Sequence, residues 1–339
     1  MIPQEKSAAV TKALRQTFGV TEADETRQIP NGTFNNVQVF RIVVRGTPYL
    51  LRVILRAEDP TCHFTCMSAA AEAGLAPRVR YTCVEDRISI TDFVEGVIAF
   101  PRTEALVRVP RLLRNLQALH AFPGRASHLN TSCTFLLQKG PAVDGLLQRC
   151  KTMGVLPQDQ MEDLIARHAQ LASVYSPQDS EMAPSHNDLF KPDNMLFDGQ
   201  RTWLVDWEAA FQNDQYADLA AVANMIVTSD AEEEIYLREF FGQPPTAYQR
   251  ARFFLMQQVA HIFYTVAFLI LQSGGQPIDR NTQAPDYNEF QGQFWTGEIK
   301  LDKTPAKIAY GRVHWERLRR NVQLPRYGES LRIISGGQG

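Results

Sequence analysis

Ser185-His186-Asn187-Asp188-Leu189-Phe190-Lys191-Pro192-Asp193-Asn194, followed by Trp203-Leu204-Val205-Asp206-Trp207-Glu208, is the stretch that decides the reading of this chain. It is a polar loop holding a carboxylate and a carboxamide, and then a short apolar strand that ends in another carboxylate. Met195–Phe197 and Trp203–Val205 flank Asp198-Gly199, a hairpin signal that folds Asn194 back toward Asp206. One proton acceptor and two metal-binding side chains thus come from a single loop and hairpin. Phosphoryl transfer requires such a set: an Asp to orient the attacking hydroxyl, and an Asn and an Asp to hold the magnesium that bridges the phosphates. A lone His-x-Asp is a weak signal, but followed by the Asn and by a strand ending in Asp it is strong. The bland alternative is a solvated loop whose Asp and Asn cap a turn.

These residues resemble the protein-kinase-like phosphotransferases that act on small molecules, the choline/ethanolamine kinases and aminoglycoside phosphotransferases. His-Asn-Asp-Leu and Asp-Trp-Glu look closest to the choline/ethanolamine branch, and the similarity runs from about Ile29 to Leu219. The resemblance implies an α+β, protein-kinase-like, two-lobed fold. A small antiparallel β-sheet lobe would span residues 1–93 and a larger, mainly helical lobe residues 94–339. ATP would lie in the cleft between lobes, with adenine against the connector Asp92–Glu95, where Asp92 and Val94 are the candidate contacts and Thr91 stands at the back. By position, Asp188 matches the catalytic-loop Asp, Asn194 the loop Asn and Asp206 the metal-binding Asp, with Mg2+ as the implied cofactor. The usual pattern puts the Asn five residues after the catalytic Asp, whereas Asn194 lies six after Asp188. Either the loop bulges to keep Asn194 on the metal or Asp193 takes its place.

The rest of the implied ATP site is less regular. Ile29-Pro30-Asn31-Gly32-Thr33-Phe34-Asn35-Asn36 resembles a shortened phosphate loop, with Gly32 allowing close backbone approach and Asn35 nearby as a second contact. Arg52 stands where these kinases carry their phosphate-gripping cation, and a guanidinium can hold two phosphate oxygens at once. Alternation puts Arg52 on the face opposite Leu51 and Val53; Arg56 is a competing candidate. The helix Glu that usually pairs with this cation is replaced by His63, so Glu58 or Asp59 is the expected partner. Asp218, in Tyr216-Ala217-Asp218, looks like the helix-start Asp that ties down the catalytic-loop backbone, and His186 has a similar supporting place. An Asp favoured by the helix dipole is the plain alternative for Asp218.

For the acceptor, the resemblance implies a small amino or quaternary-ammonium alcohol. Trp207, Glu208, Tyr264 and Trp295 supply the aromatic faces and the carboxylate that such a cation would use. Tyr264 and Phe268, at i and i+4, serve equally well as core packing. An aminoglycoside or other small alcohol is the alternative acceptor, and a nucleotide-binding scaffold without turnover is the non-enzymatic one. A protein kinase fits poorly, because about ten residues separate Asp206 from the next helix, too few for a long activation loop.

Composition agrees. With 339 residues and 44% hydrophobic content the chain can bury a large core. A formal charge of −2 without a Lys/Arg run argues against a nucleic-acid partner. Met1 to Val10 lacks the apolar core of a signal peptide. Val259 to Leu271, interrupted by His261, reads as a buried helix rather than a membrane span. Five cysteines without a CxxC pair suggest free thiols in a reducing, cytoplasmic setting. Cys62, His63 and Cys66 fall short of the four ligands of a structural zinc site.

Periodicity gives the remaining organisation. Residues 7–18 read as an amphipathic helix, and Val37–Val44, Tyr49–Leu55, Val79–Thr82 and Ile88–Phe93 as strands, with a turn at Arg45-Gly46-Thr47-Pro48. Cys62–Ala73 is the one helix among them, stopped by Gly74 and Pro77. Helices follow at Leu106–Leu119, Met161–Leu171, Tyr216–Ile226, Ile235–Phe241, Phe253–Leu271 and Ile308–Asn321. The hairpin around Asp198-Gly199 is the only strand-like interruption in this part, and residues 276–304 read as a surface excursion.

Overall fold

The computed structural model describes residues 2–30, 37–119, 122–123, 143–154, 156–174, 181–273 and 283–336. The chain divides into two compact units, Met1–Ile98 with Asn194–Glu208, and Ala99–Asp193 with Ala209–Gly339. The hairpin that carries Asn194 and Asp206 therefore groups with the β-rich unit.

In the first unit β1 (Glu25–Ile29), β2 (Val37–Val44), β3 (Thr47–Ile54), β4 (Val79–Cys83) and β5 (Ile88–Asp92) form one antiparallel sheet in the order β1-β2-β3-β5-β4. β2 turns into β3 through Arg45 and Gly46, at φ 52° and 74°. Positive φ at both central residues is what a two-residue hairpin of this hand requires, so Thr47 and Pro48 belong to β3 instead of the turn. Every second residue of three strands faces the helix Ser7–Phe18. Phe40, Ile42 and Val44, Leu51 and Val53, and Ile88 and Ile90 pack with Val10, Ala13 and Leu14, all at most 4% exposed. The row Val39–Arg52–Ser89 lies on the other face, as the alternation around Arg52 predicts. The helix Thr61–Glu72 and the short hairpin β7 (Met195–Phe197) and β8 (Thr202–Leu204) complete the unit. The hairpin is attached where the Leu204 N–H donates to the Leu75 carbonyl and the Ile98 N–H to the Phe197 carbonyl, both at 2.8 Å.

The second unit is mainly helical. It contains Arg102–Gln117, Val143–Met153, Gln158–Ala172, Ala217–Ile226, Asp230–Phe241, Ala247–Ser273, Tyr287–Trp295, Thr304–Asn321 and Pro325–Gly336. Ala247–Ser273 is the central one, and Thr304–Asn321 packs along it at Gly311, where an added Cβ would meet the Leu269 side chain at 2.9 Å. No helix among the described residues is long and apolar enough to cross a membrane.

Two sequence expectations need correction here. A second strand pair exists, β6 (Met182–Ser185) with β9 (Phe211–Asp214), and β6 leads directly into His186. Of residues 276–304, 276–282 lie outside the described residues, and the rest are more than a surface excursion. The helix Tyr287–Trp295 starts on an Asp286 cap and buries Tyr287, Phe290, Gln291, Phe294 and Trp295. Its aromatic residues at i, i+3 and i+7 form one apolar face, which must be covered.

Candidate active site

β6 and β9 pair on either side of the loop that starts at His186. At its start Asn187 adopts φ 64°, a left-handed conformation that asparagine tolerates better than most residues. The backbone is pinned there by Asp218, whose two oxygens accept from the His186 N–H at 2.6 Å and the Asn187 N–H at 2.8 Å. The Asn187 amide is clamped in turn. It donates to the Ala209 carbonyl at 3.0 Å and accepts from the Asn213 amide at 2.7 Å. Arg252, fully buried on the helix Ala247–Ser273, holds the end of β9 through Asp214 at 2.6 Å and the residue before β6, Glu181, at 3.1 Å. Asp188 follows, 7% exposed, with Lys191 Nζ donating to its Oδ2 at 2.7 Å. The sequence analysis identified the Asp218 tie, but not the Asn187 clamp or the Lys191 contact.

Burial pushes the Asp218 carboxyl up to about 6; the two backbone N–H donors pull it down and the nearby charge of Asp188 pushes it further up. A carboxylate kept in such a place despite the cost of charging it is holding something in shape.

Pro192–Asn194 forms a single 3-10 turn. It leaves Asn194 5% exposed and Asp193 exposed. The Val205 N–H then donates to the Asn194 carbonyl at 3.0 Å, which brings Asn194 beside the strand end that carries Asp206. Asp206 itself has φ 66°, an uncommon and strained conformation for this residue. Magnesium usually takes one or two protein oxygens and fills its shell with water and phosphate. An inward Asn194 and a one-third-exposed Asp206 side chain fit that requirement. Among the described residues no group of three or more His, Cys, Asp or Glu converges as a self-sufficient metal site.

Arg52 finds a partner that the sequence did not suggest. It donates to Asp206 Oδ1 at 3.1 Å and also to Glu208 Oε1. Arg56 donates to Glu208 Oε2 at 2.6 Å and pairs with Glu58 at 3.2 Å. Burial pulls the Arg56 guanidinium below its usual value, with Glu58 opposing. The expectation that Glu58 or Asp59 pairs with Arg52 is thus corrected: Glu58 serves Arg56, and Asp59 accepts from the Thr61 N–H and hydroxyl at the start of the helix Thr61–Glu72. His63 is buried on that helix. The link between Arg52 and Glu208 spans 156 residues of chain, so local sequence carries no trace of it.

The four residues expected at the acceptor are engaged otherwise. Trp207 is 1% exposed and donates from Nε1 to the Leu204 carbonyl at 3.2 Å. Tyr264 is fully buried among Phe190, Tyr310 and His314. Trp295 donates to the Phe100 carbonyl at 2.8 Å and packs on the Phe100 ring. Glu208 is held by the two arginines. All three rings are packing residues in this structure, the alternative already open for Tyr264.

Gly32 and Asn35 lie outside the described residues. Asp92 closes β5, and its carboxylate takes two hydrogen bonds from Arg80, at 2.6 and 3.1 Å. Asp92 and Val94 line a cavity of about 790 Å³ together with Gly74, Asp198, Arg201 and Trp203. Its lining does not include Arg52 or Asp206, which lie elsewhere in the unit. Thr91 is buried on β5.

Comparison with known proteins agrees with this architecture. The sequence profile described as the phosphotransferase enzyme family matches residues 25–254. Among solved structures, a choline/ethanolamine kinase family protein from Mesorhizobium loti is similar with a TM-score of 0.69 at 18% identity, over 98% of this chain and 100% of that one. A choline kinase from Streptococcus pneumoniae, also solved with AMP, gives 0.56 at 14% identity, over 87% of this chain and 98% of its own. A spectinomycin phosphotransferase, solved with ADP and spectinomycin, gives 0.57 at 10% identity, over 89% of this chain and 97% of its own. At such identities the likeness shows the fold. No curated protein matches the sequence.

Proposed function

The chain belongs to the phosphotransferase enzyme family, and from that premise we propose that it is an ATP- and magnesium-dependent kinase for a small amino or quaternary-ammonium alcohol of the choline/ethanolamine type. The observation that carries the proposal is the pinned loop, in which Asp218 and the Asn187 clamp fix the backbone immediately before Asp188. A positioned carboxylate is what the hydroxyl acceptor of a phosphoryl group needs. In this reading Asp188 orients the hydroxyl and accepts its proton, for which a contribution of ~10²–10⁴-fold is ordinary. Lys191, on Asp188 Oδ2, holds that carboxylate in place. Asn194 and Asp206 would hold magnesium, whose positive charge would offset that of the phosphates. Arg52 grips phosphate together with the Gly32–Asn35 loop, and the connector at Asp92 and Val94 receives the adenine.

The solved neighbours that carry AMP or ADP support nucleotide use. Against a non-catalytic scaffold, suggested by His63 in place of the helix Glu and by the extra loop residue, stands the presence of Asp188, Asn194 and Asp206 together, and Glu208 gives Arg52 a carboxylate partner. The choice of acceptor rests on the choline- and ethanolamine-kinase neighbours rather than on Trp207, Tyr264 or Trp295. The spectinomycin phosphotransferase likeness keeps an aminoglycoside as the second reading. Four described cysteines are free thiols, which suits a reducing, cytoplasmic setting. The test is a coupled ADP-release assay with choline, ethanolamine, an aminoglycoside set and methylthioribose. The expected outcome is highest kcat/KM with choline or ethanolamine; preference for an acceptor without an amine or ammonium group rejects the acceptor class.

A further inference from the structure

Arg52 and Arg56 converge on a single carboxylate. Glu208 accepts from Arg52 Nη2 on one oxygen and from Arg56 Nη2 on the other. The arginine side chains are each 14% exposed and that of Glu208 is 17% exposed, so the three charges meet where water screens them poorly. Two guanidinium groups, one on each of two oxygens, is also a way in which proteins hold a phosphate group, which offers more oxygens and more charge than a carboxylate.

The surroundings allow an exchange of one anion for the other. If Glu208 turned away, neither arginine would be stranded, because Arg52 keeps Asp206 at 3.1 Å and Arg56 keeps Glu58 at 3.2 Å. Only the side chain has to move: the 3-10 turn Trp207–Ala209 that bears Glu208 stays anchored by the buried Trp207 and its bond to Leu204. A released Glu208 carboxylate would stand two residues from Asp206, and a divalent cation arriving with the phosphate would offset that repulsion.

We propose that Arg56 and Arg52 together form a two-guanidinium phosphate site that Glu208 occupies in this structure and yields to the polyphosphate of the incoming donor. This makes Arg56 a second phosphate ligand and Glu208 an internal competitor, and it explains why a carboxylate should sit between two arginines so close to Asp206. The inference rests on reading Arg52 as the phosphate grip and adds the occupant and the second ligand.

The test is calorimetric titration of the full chain with MgATP, and with sodium tripolyphosphate in magnesium or in EDTA, with the melting temperature of each variant read alongside. Arg56→Gln should weaken both ligands by about tenfold or more, the usual scale for a lost charge-assisted bond, and Arg56→Lys should fall between it and the parent. Glu208→Gln should bind tripolyphosphate in EDTA several-fold more tightly than the parent, about as expected when a charged competitor becomes neutral. Affinities of Arg56→Gln within about twofold of the parent, or weaker metal-free binding by a folded Glu208→Gln, overturn the inference. If Glu208→Gln does not fold, the two Arg56 variants decide. Binding of MgATP by the parent with no effect at Arg56 removes the inference alone, whereas binding of neither ligand by the parent removes the kinase reading as well.

Discussion

Replacing Asp218 by Asn should change stability by an amount that depends on pH, and the sign follows from the site. Burial raises this carboxyl from its ordinary 3.8 to about 6. Between those values the native state holds a proton that the unfolded chain has released, so the stability of the native state falls as pH rises through the window. By pH 8 the full difference, about 3 kcal/mol, counts against the native protein; at pH 4.5 only about 1 kcal/mol of it remains. The Asn variant carries no such charge, but its amide can accept from only one of the His186 and Asn187 N–H donors, and the other buried donor costs about 1–3 kcal/mol. At pH 8 these effects nearly cancel, and parent and variant should unfold at similar urea concentrations. At pH 4.5 the parent should have gained about 2 kcal/mol on the variant. Urea unfolding at the two pH values measures this directly. A stability difference that does not change with pH, or that favours the variant at pH 4.5, would refute the account of Asp218. Turnover should fall at either pH, toward ~10²-fold, because the loop bearing Asp188 loses one of its two backbone anchors.

Asn187→Gly keeps the left-handed backbone and loses the amide clamp, whereas Asn187→Ala loses both; thermal unfolding should rank Ala below Gly by about 1–2 kcal/mol, and equal losses would mean that φ 64° is not what selects the residue. Asn194→Ala should reduce magnesium-dependent stabilisation by ATP, with Asp193→Ala close to the parent; the opposite order would mean that the 3-10 turn does not set the ligand register. Gly311→Ala drives a Cβ against the Leu269 side chain at 2.9 Å and its backbone N at 3.3 Å, so it should cost about 1–3 kcal/mol in thermal unfolding, and an unchanged melting temperature would show that the two helices separate freely.

Features with a local cause were legible in the sequence. Asp198-Gly199 announced the β7–β8 hairpin, and Gly199 does take φ 90°. Apolar alternation gave β2, β3 and β5, and the order of His186, Asp188, Asn194 and Asp206 gave the family. What escaped has tertiary causes. β1 is an edge strand with four of its five residues exposed, so it shows no apolar alternation. β6 and β9 are four residues long and contain Pro184, Asn213 and Asp214; the Arg252 ion pairs and the Asn187 clamp hold β9 where hydrophobic pattern does not. The partner of Arg52 lies 156 residues away, and no spacing rule reaches that far. The helix Tyr287–Trp295, by contrast, was legible and overlooked: Asp286 followed by Glu289 is an N-terminal signature, with Tyr287, Phe290 and Phe294 as its buried face.

The most direct test of the central claim, that this family member transfers phosphate with Asp188 as the group facing the acceptor, compares Asp188→Asn with the parent in one experiment. MgATP affinity is measured by calorimetry, and phosphorylated choline or ethanolamine by phosphorus NMR. The account predicts product from the parent, a fall of ~10²–10⁴-fold in its rate of formation by the variant, and nearly equal MgATP affinity for the two. Equal rates, or loss of MgATP binding in a folded variant, would contradict the role assigned to Asp188.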